Sequence, residues 1–320
     1  MRKGIWIAAA AASLVLGLVA LEKDSIAVRF GGLFWMPVQA GDAWVPAPLK
    51  LALSGRPPTA KAGPVAWRTL APGFETAELP ATANGMEVER ILLARIDPAR
   101  FRFAVENAPK GDKDFAGWMK TGCPVLAVNG SYYTRDGLPQ TPVVSDGKPL
   151  GPARYDARQG AFVSTPIATG LRDLAHADWR KTLAGADAAM VSYPLLLAAD
   201  GTSRAAPSDW LANRSFLGED ARHRILIGTT KGAFFSLPRL AAFLKAAPLG
   251  LTMALNLDGG PVACQAVSLN GFERRQCGQW EIQVENGRAK MLPTLQLLPK
   301  HVLGTPPMPM ALLVYARGGC

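Results

Sequence analysis

Three short segments of the chain carry residue types that could do chemistry together. The first is Ala254-Leu255-Asn256-Leu257-Asp258-Gly259-Gly260. Alternation along an apolar strand puts Asn256 and Asp258 on one face. Two polar side chains on a buried strand are costly unless they serve each other or a ligand. Gly259 and Gly260 then let the backbone approach a bound group, and successive N–H groups there could cradle an anion. The second segment is Asn129-Gly130-Ser131-Tyr132-Tyr133, followed by Arg135-Asp136-Gly137-Leu138-Pro139. Asn129 closes the apolar run 124–129, which sets an amide at the rim of a sheet, where a rigid scaffold commonly holds ligands. An amide donates to a sugar or phosphate oxygen and accepts a hydroxyl proton. The third segment is Asn213-Arg214-Ser215, whose guanidinium fork matches phosphate oxygens. Taken singly, each has a bland alternative: a turn Asn, a structural hydrogen-bond network, a solvated arginine.

The elements that must position these residues follow from pattern. Residues 87–97 and 101–106 read as strands joined by the turn-like Asp97-Pro98. Residues 112–121 read as a short helix with Gly122 as its stop, and 174–183 as helical. Strands are expected over 124–129, 224–229 and 252–257. Ser236 is placed as an N-cap, with Pro238 in the first turn and Leu237, Leu240, Ala241 and Leu244 at helical spacing. The elements do not alternate as regular βαβ units. The expected class is therefore α+β, with mixed β-sheets and flanking helices in a single globular domain.

Composition sets the outer bounds. The chain has 320 residues, 49% apolar and 19% charged, with 35 Lys+Arg against 25 Asp+Glu for a net charge of +10. That excludes a disordered, collagen-like or polytopic membrane chain. Arg2 and Lys3 precede an apolar run over 4–21, which reads as a signal peptide or signal anchor. The body is then exported to a periplasmic or extracellular face, with contact to the membrane through that segment. Cleavage after Ala20 leaves Leu18 where a small residue is wanted, which favours an anchor. Residues 41–65 hold five prolines and no apolar period, so they read as an extended or irregular stem before a domain over 66–320. A nucleic-acid partner is not expected: there is no basic block and no RNA-type aromatic motif.

In order, the three segments together with Gly137-x-Pro139, Asp146-Gly147-Lys148 and Gly218 resemble the phosphodiester glycosidase family, over about 86–298. Asn256-Leu257-Asp258-Gly259-Gly260, preceded by the helix that starts near Ser236, is the most specific part of the resemblance. Tyr193-Pro194-Leu195-Leu196 is similar to a weaker family feature. The family includes an enzyme that removes N-acetylglucosamine from a mannose-phosphate diester. The resemblance implies a hydrolase that cleaves the glycosidic bond of a sugar-1-phosphodiester, releasing sugar and a phosphomonoester. Asp258 would be its nucleophile or water-activating base, Arg214 would hold the phosphate, and Asn129 and Asn256 would position sugar hydroxyls or orient Asp258. Gly130, Ser131, Gly259, Gly260 and Asp136 would line the substrate. Asp136 and Asp146 are candidate second carboxylates, both in turn-forming sequence. Many members carry a further Gly and then Ser or Thr after the two glycines, where Pro261-Val262-Ala263 stand here. The expected partner is a carbohydrate phosphodiester or anionic glycan. No cofactor or metal is implied, although Asp258 and the Asn oxygens are of a type that takes Ca²⁺ or Mg²⁺. His176, His223 and His301 read as structural or exposed. A rival reading is a non-catalytic envelope protein that binds an anionic polysaccharide or serves exopolysaccharide production.

One expectation comes from arithmetic alone. Asn270-Gly271 is the strongest two-residue hairpin signal and favours a type I′ turn. Leu269 then faces Phe272, and counting outward Cys264 faces Cys277 in a non-hydrogen-bonded pair, about 4.5 Å between Cα atoms. Export permits the bridge. Cys123 and Cys320 are left without an assigned pairing.

Overall fold

A computed structural model describes residues 27–29, 33–110, 113–156, 158–278, 280–285, 288–293 and 308–318. The segment 1–21, Asp112, His301 and Cys320 lie outside the described residues. No helix among the described residues is long and apolar enough to cross a membrane.

The widest sheet runs in the order Leu195–Leu197, Leu251–Asn256, Ser215–Asp220, Ile225–Thr230, Met86–Ile96, Phe74–Ala83, Lys61–Ala62, with Arg68–Ala71 also on Phe74–Ala83. A second sheet runs Phe272–Cys277, Cys264–Leu269, Leu126–Asn129, Met310–Ala316, Phe101–Asn107. The third is Lys148–Leu150, Val143–Ser145, Ala188–Ser192, Gly160–Ser164, Thr169–Asp173. The fourth is Ala27–Arg29, Leu33–Val38, Arg288–Pro293, Trp280–Glu285, Leu211–Ala212.

Every described strand pairing is antiparallel, so the expected mixed sheets are corrected, and the balance is more β than α+β implies. The cause is visible in the widest sheet. Both of its faces are covered, so its strands read as unbroken apolar runs such as Ile225-Leu226-Ile227, a pattern usually met in parallel sheets. Leu226, Ile91 and Leu93 pack on one side with Phe235, Leu240 and Leu244 of the helix Leu237–Ala246. Ile225, Ile227 and Leu217 pack on the other with Phe103, Phe162 and Leu312 from the second and third sheets. Leu240, Phe243 and Leu244 are each worth about 1.5–3 kcal/mol when fully buried, which holds that helix although the Ser236 hydroxyl makes no cap bond.

The 41–65 stretch differs from the expected stem. It contains the short helix Ala47–Ala52, begun at Pro46 with Pro48 in its first turn, and Val45, Leu49 and Ala52 are buried in the core. Its prolines set a helix start, and three apolar residues are too few to show a period. The expected helix over 174–183 is confined to Trp179–Leu183 behind the N-cap Asp178, and the one near 112–121 to Phe115–Met119 behind the N-cap Asp114.

The hairpin stands as the arithmetic required. Cys264 pairs Cys277 and Leu269 pairs Phe272, while Asn270 and Gly271 take φ values of 50° and 76°. Cys264 and Cys277 form a disulfide with Cα atoms 4.0 Å apart. Cys123 is also disulfide-bonded.

Candidate active site

Ends of all four sheets meet around Asp258. Strand Leu251–Asn256 stops one residue before Leu257, so alternation alone does not carry to Asp258. The backbone beyond is held by the neighbouring strand end: the Asp258 N–H donates to Gly130 O (3.1 Å). Asn129, only 1% exposed, completes the clamp. Its amide N–H donates to Asp258 O (2.7 Å), and its Oδ1 accepts the Cys264 N–H (3.1 Å). Both ends of Asn129 thus serve the frame of the Asp258 loop. A Cβ on Gly130 would lie 3.0 Å from the Met310 Cβ, so this glycine serves strand packing. Ser131 is likewise structural: its hydroxyl donates to Val191 O (2.7 Å) and meets Thr141 Oγ1.

Asn256 is fully buried and donates to the Tyr132 hydroxyl (2.8 Å), Tyr193 O (3.1 Å) and Leu257 O (2.6 Å). Its Oδ1 is buried and meets no donor among the described residues. The Tyr132 hydroxyl donates a hydrogen bond to Tyr193 O (2.7 Å), and the two rings stack with centroids 4.2 Å apart. Neither tyrosine entered the expected site, although both stand in the quoted motifs. Sixty-one positions separate them, and no local pattern announces such a stack.

Arg214 is fixed at the edge of strand Ser215–Asp220. Its N–H donates to Thr230 Oγ1 (2.8 Å), and Thr230 N–H donates back to its carbonyl (2.9 Å). The guanidinium donates through Nη2 to Trp210 O (2.8 Å), while Nε is buried without an acceptor among the described residues. Burial lowers the Arg214 pKa, and the neighbouring Tyr132, Glu281 and Asp258 oppose that shift.

Asp258 itself is half-buried, crowded by neighbours yet open on one side. Burial pushes its pKa up to about 7 from 3.8, the nearby Glu281 charge adds to the rise, and the Gly259 N–H (2.8 Å) and Arg214 oppose it. Its charge in turn raises the pKa of Tyr132, Tyr133 and Tyr193, after burial as the main cause.

The two glycines now have a reason. A Cβ on Gly259 would lie 2.9 Å from Asn213 O and 3.5 Å from Arg214 Nη1. Gly260, at φ +65°, would put a Cβ 2.5 Å from Glu281 Oε2. Only glycines let a guanidinium and a carboxylate close on this loop. Glu281, on Trp280–Glu285, pairs Ala212 two residues before Arg214. It escaped sequence reading because Trp280–Glu285 carries no motif and the contact is long-range. Neither expected second carboxylate joins the cluster. Asp136 is exposed in the turn closed by Thr134 and Leu138, and Asp146 is exposed in the Asp146-Gly147 turn with φ values of 49° and 71°.

A cavity of about 370 Å³ lies elsewhere, beside Arg95 and Arg224, whose cations are already paired with Glu75 and Asp220. No group of three or more metal-ligating side chains occurs among the described residues.

The model of the phosphodiester glycosidase family matches residues 123–288. No curated protein matches the chain. Among solved structures, it is similar to the catalytic domain of zebrafish N-acetylglucosamine-1-phosphodiester alpha-N-acetylglucosaminidase auto-inhibited by its pro-peptide. That match has 16% identity, covers 74% of this chain and 89% of the other, and has a TM-score of 0.49. A hypothetical protein from Synechocystis matches with 13% identity over 80% of this chain and 64% of the other, at a TM-score of 0.45.

Proposed function

Because the chain belongs to the phosphodiester glycosidase family and is a glycosidase acting on sugar phosphodiesters, we propose that it hydrolyses a sugar-1-phosphodiester of the cell envelope at the anomeric carbon. The phosphomonoester leaving group is anionic and weakly basic, so it needs a cation more than a strong acid. Arg214 meets that need with a guanidinium already inside the protein and an Nε that meets no acceptor among the described residues. The oxocarbenium-like transition state needs a carboxylate, supplied by Asp258 as nucleophile or as base toward the attacking water. Asn129 holds the Asp258 backbone, and the Asn256–Tyr132–Tyr193 network holds the wall beside it. No step calls on a metal. Export rests on the positive residues and apolar run at the start of the chain.

The observation that carries this reading is the convergence of Asp258 and Arg214 on Gly259, with each charge acting on the other. The test is incubation of the purified protein with an aryl phosphodiester of a sugar-1-phosphate. Release of free sugar and aryl phosphate is expected. Binding without release would favour a carbohydrate-binding role instead.

A further inference from the structure

We infer that Tyr193 is a sugar-binding residue of this site: the pyranose ring of the substrate lies on its open aromatic face, with the anomeric carbon toward Asp258 and the phosphate toward Arg214. The inference deepens the proposed reading of the site and rests on it. Its ground is sheet topology. Strand Leu251–Asn256, which leads to Asp258, lies between Leu195–Leu197 and Ser215–Asp220 and is antiparallel to both. Tyr193 and Arg214 stand just before those two strands, so both meet the end that carries Asp258. On one side the Asn256 N–H donates to Pro194 O (3.0 Å), which continues the Leu195–Leu255 register. On the other the Leu257 N–H donates to Ser215 O (2.9 Å), beside the Phe216–Asn256 pair. Neighbouring strands lie about 4.8 Å apart, so the backbones at Tyr193 and Arg214 flank Asp258 at about 10 Å from each other. That span suits a sugar ring on one side and its phosphate on the other.

The backbone around Tyr193 is fixed to the Asp258 strand at three consecutive residues. The Ser192 hydroxyl donates to Asn256 O (2.6 Å), Tyr193 O accepts the Asn256 amide N–H (3.1 Å), and Pro194 O accepts the Asn256 backbone N–H. One face of the Tyr193 ring is backed by Tyr132, with the planes 20° apart. Among the described residues no other ring and no cationic side chain stacks on it, its hydroxyl makes no hydrogen bond, and the side chain is only half-buried. A ring held this firmly, and closed on one face alone, offers the other to a ligand at little entropic cost. That face is apolar and electron-rich. A pyranose presents C–H groups on its ring faces and hydroxyls at its rim, so it can lie flat on the ring while its hydroxyls stay hydrated. An open-chain polyol phosphate has no such face. The substrate class that fits is therefore a pyranosyl phosphodiester.

The test is steady-state hydrolysis of an aryl phosphodiester of a pyranose-1-phosphate by three variants. Tyr193→Leu, which keeps an apolar side chain without an aromatic face, should raise KM about 10-fold and leave kcat within a few-fold, the sign of lost ground-state binding. Tyr193→Ala should do the same or more. Tyr193→Phe, which keeps the face, should stay within about 2-fold of the unaltered protein in KM. An unchanged KM in Tyr193→Leu would overturn the inference, and so would a loss in Tyr193→Phe as large as in Tyr193→Leu, which would assign the hydroxyl and not the face. Should the Leu and Ala variants fail to fold, ¹H NMR of the diester bound to Asp258→Asn decides. Ring-current shifts should move the sugar C–H protons upfield, and unmoved protons would overturn the inference. An unchanged KM in variants of an active protein removes only the role of Tyr193. An unaltered protein that releases no sugar from the diester removes the parent reading and this inference with it.

Discussion

Glu89 and Asp258 are two carboxylates that burial pushes to the same place, about 7, and they differ in what surrounds them. Glu89 lies inside strand Met86–Ile96 and is 4% exposed. Its Oε1 accepts the N–H groups of Arg90 (3.0 Å), Lys231 (2.8 Å) and Gly232 (2.6 Å), and its Oε2 that of Phe234 (3.5 Å). Those bonds saturate it and tie the 231–234 loop to the sheet. Asp258 takes one N–H from Gly259, keeps an open side, and faces an arginine and a second carboxylate. Burial with full saturation makes a structural acid. Burial with unused acceptor capacity, beside a guanidinium whose Nε meets no acceptor among the described residues, marks a candidate reactive one.

Substitutions should separate the two. The largest effect is expected at Asp258→Asn, which should keep the fold and lower kcat/KM by about 10³–10⁴-fold on an aryl sugar phosphodiester. Its stability should move the other way. The Asp258 pKa is raised on folding, so its charged form weighs against the fold, by an amount that grows from about pH 4 and is complete above about pH 7. Thermal melts at pH 8 should therefore show the Asn variant stabilised, by about 1 kcal/mol, with no gain near pH 4. A folded variant with ordinary turnover would break the comparison.

Arg214→Ala should cost about 10²–10³-fold in kcat/KM, and Arg214→Lys should recover little of it, because an ammonium lacks the fork and leaves Trp210 O poorly served. The loss should be greater on phosphodiester sugars than on neutral aryl glycosides, compared side by side. Glu89→Ala should do the opposite of Asp258→Asn. It strands four N–H groups, one of them buried and three part-buried, so chemical denaturation should show a loss of about 2 kcal/mol, while kcat/KM of the folded fraction stays within a few-fold.

A smaller effect belongs to the bridge. Replacing Cys264 and Cys277 together by Ser releases a loop with a sequence separation of 13. Denaturation should report a loss of about 2–3 kcal/mol. Because Asn129 clamps both Cys264 N–H and Asp258 O, the same variant should lower kcat modestly, whereas Glu89→Ala should not.

Much of this was legible where the determinant is local. The Asn270-Gly271 turn carries the register of its hairpin, and with it the disulfide. Strands Leu126–Asn129 and Leu251–Asn256 show as apolar runs, and their polar ends do converge. What escaped depends on distance in the chain. Glu281 reaches Gly260 across separate sheets, and the Tyr132–Tyr193 stack joins two loops. Asn129 and Ser131 were recognisable as polar groups at a strand end, but only their partners reveal that they support the frame. Antiparallel pairing was hidden because covering both faces of the widest sheet erased the alternation that would have signalled it.

The central claim is that Asp258 and Arg214 act on the bond between the anomeric carbon and the bridging oxygen, and one measurement addresses that bond directly. The protein is allowed to hydrolyse an aryl phosphodiester of a sugar-1-phosphate in H₂¹⁸O, and the aryl phosphate is examined by mass spectrometry. The account predicts unlabelled aryl phosphate, because water adds to the sugar. Incorporation of ¹⁸O into the phosphate would mean attack at phosphorus and would contradict it.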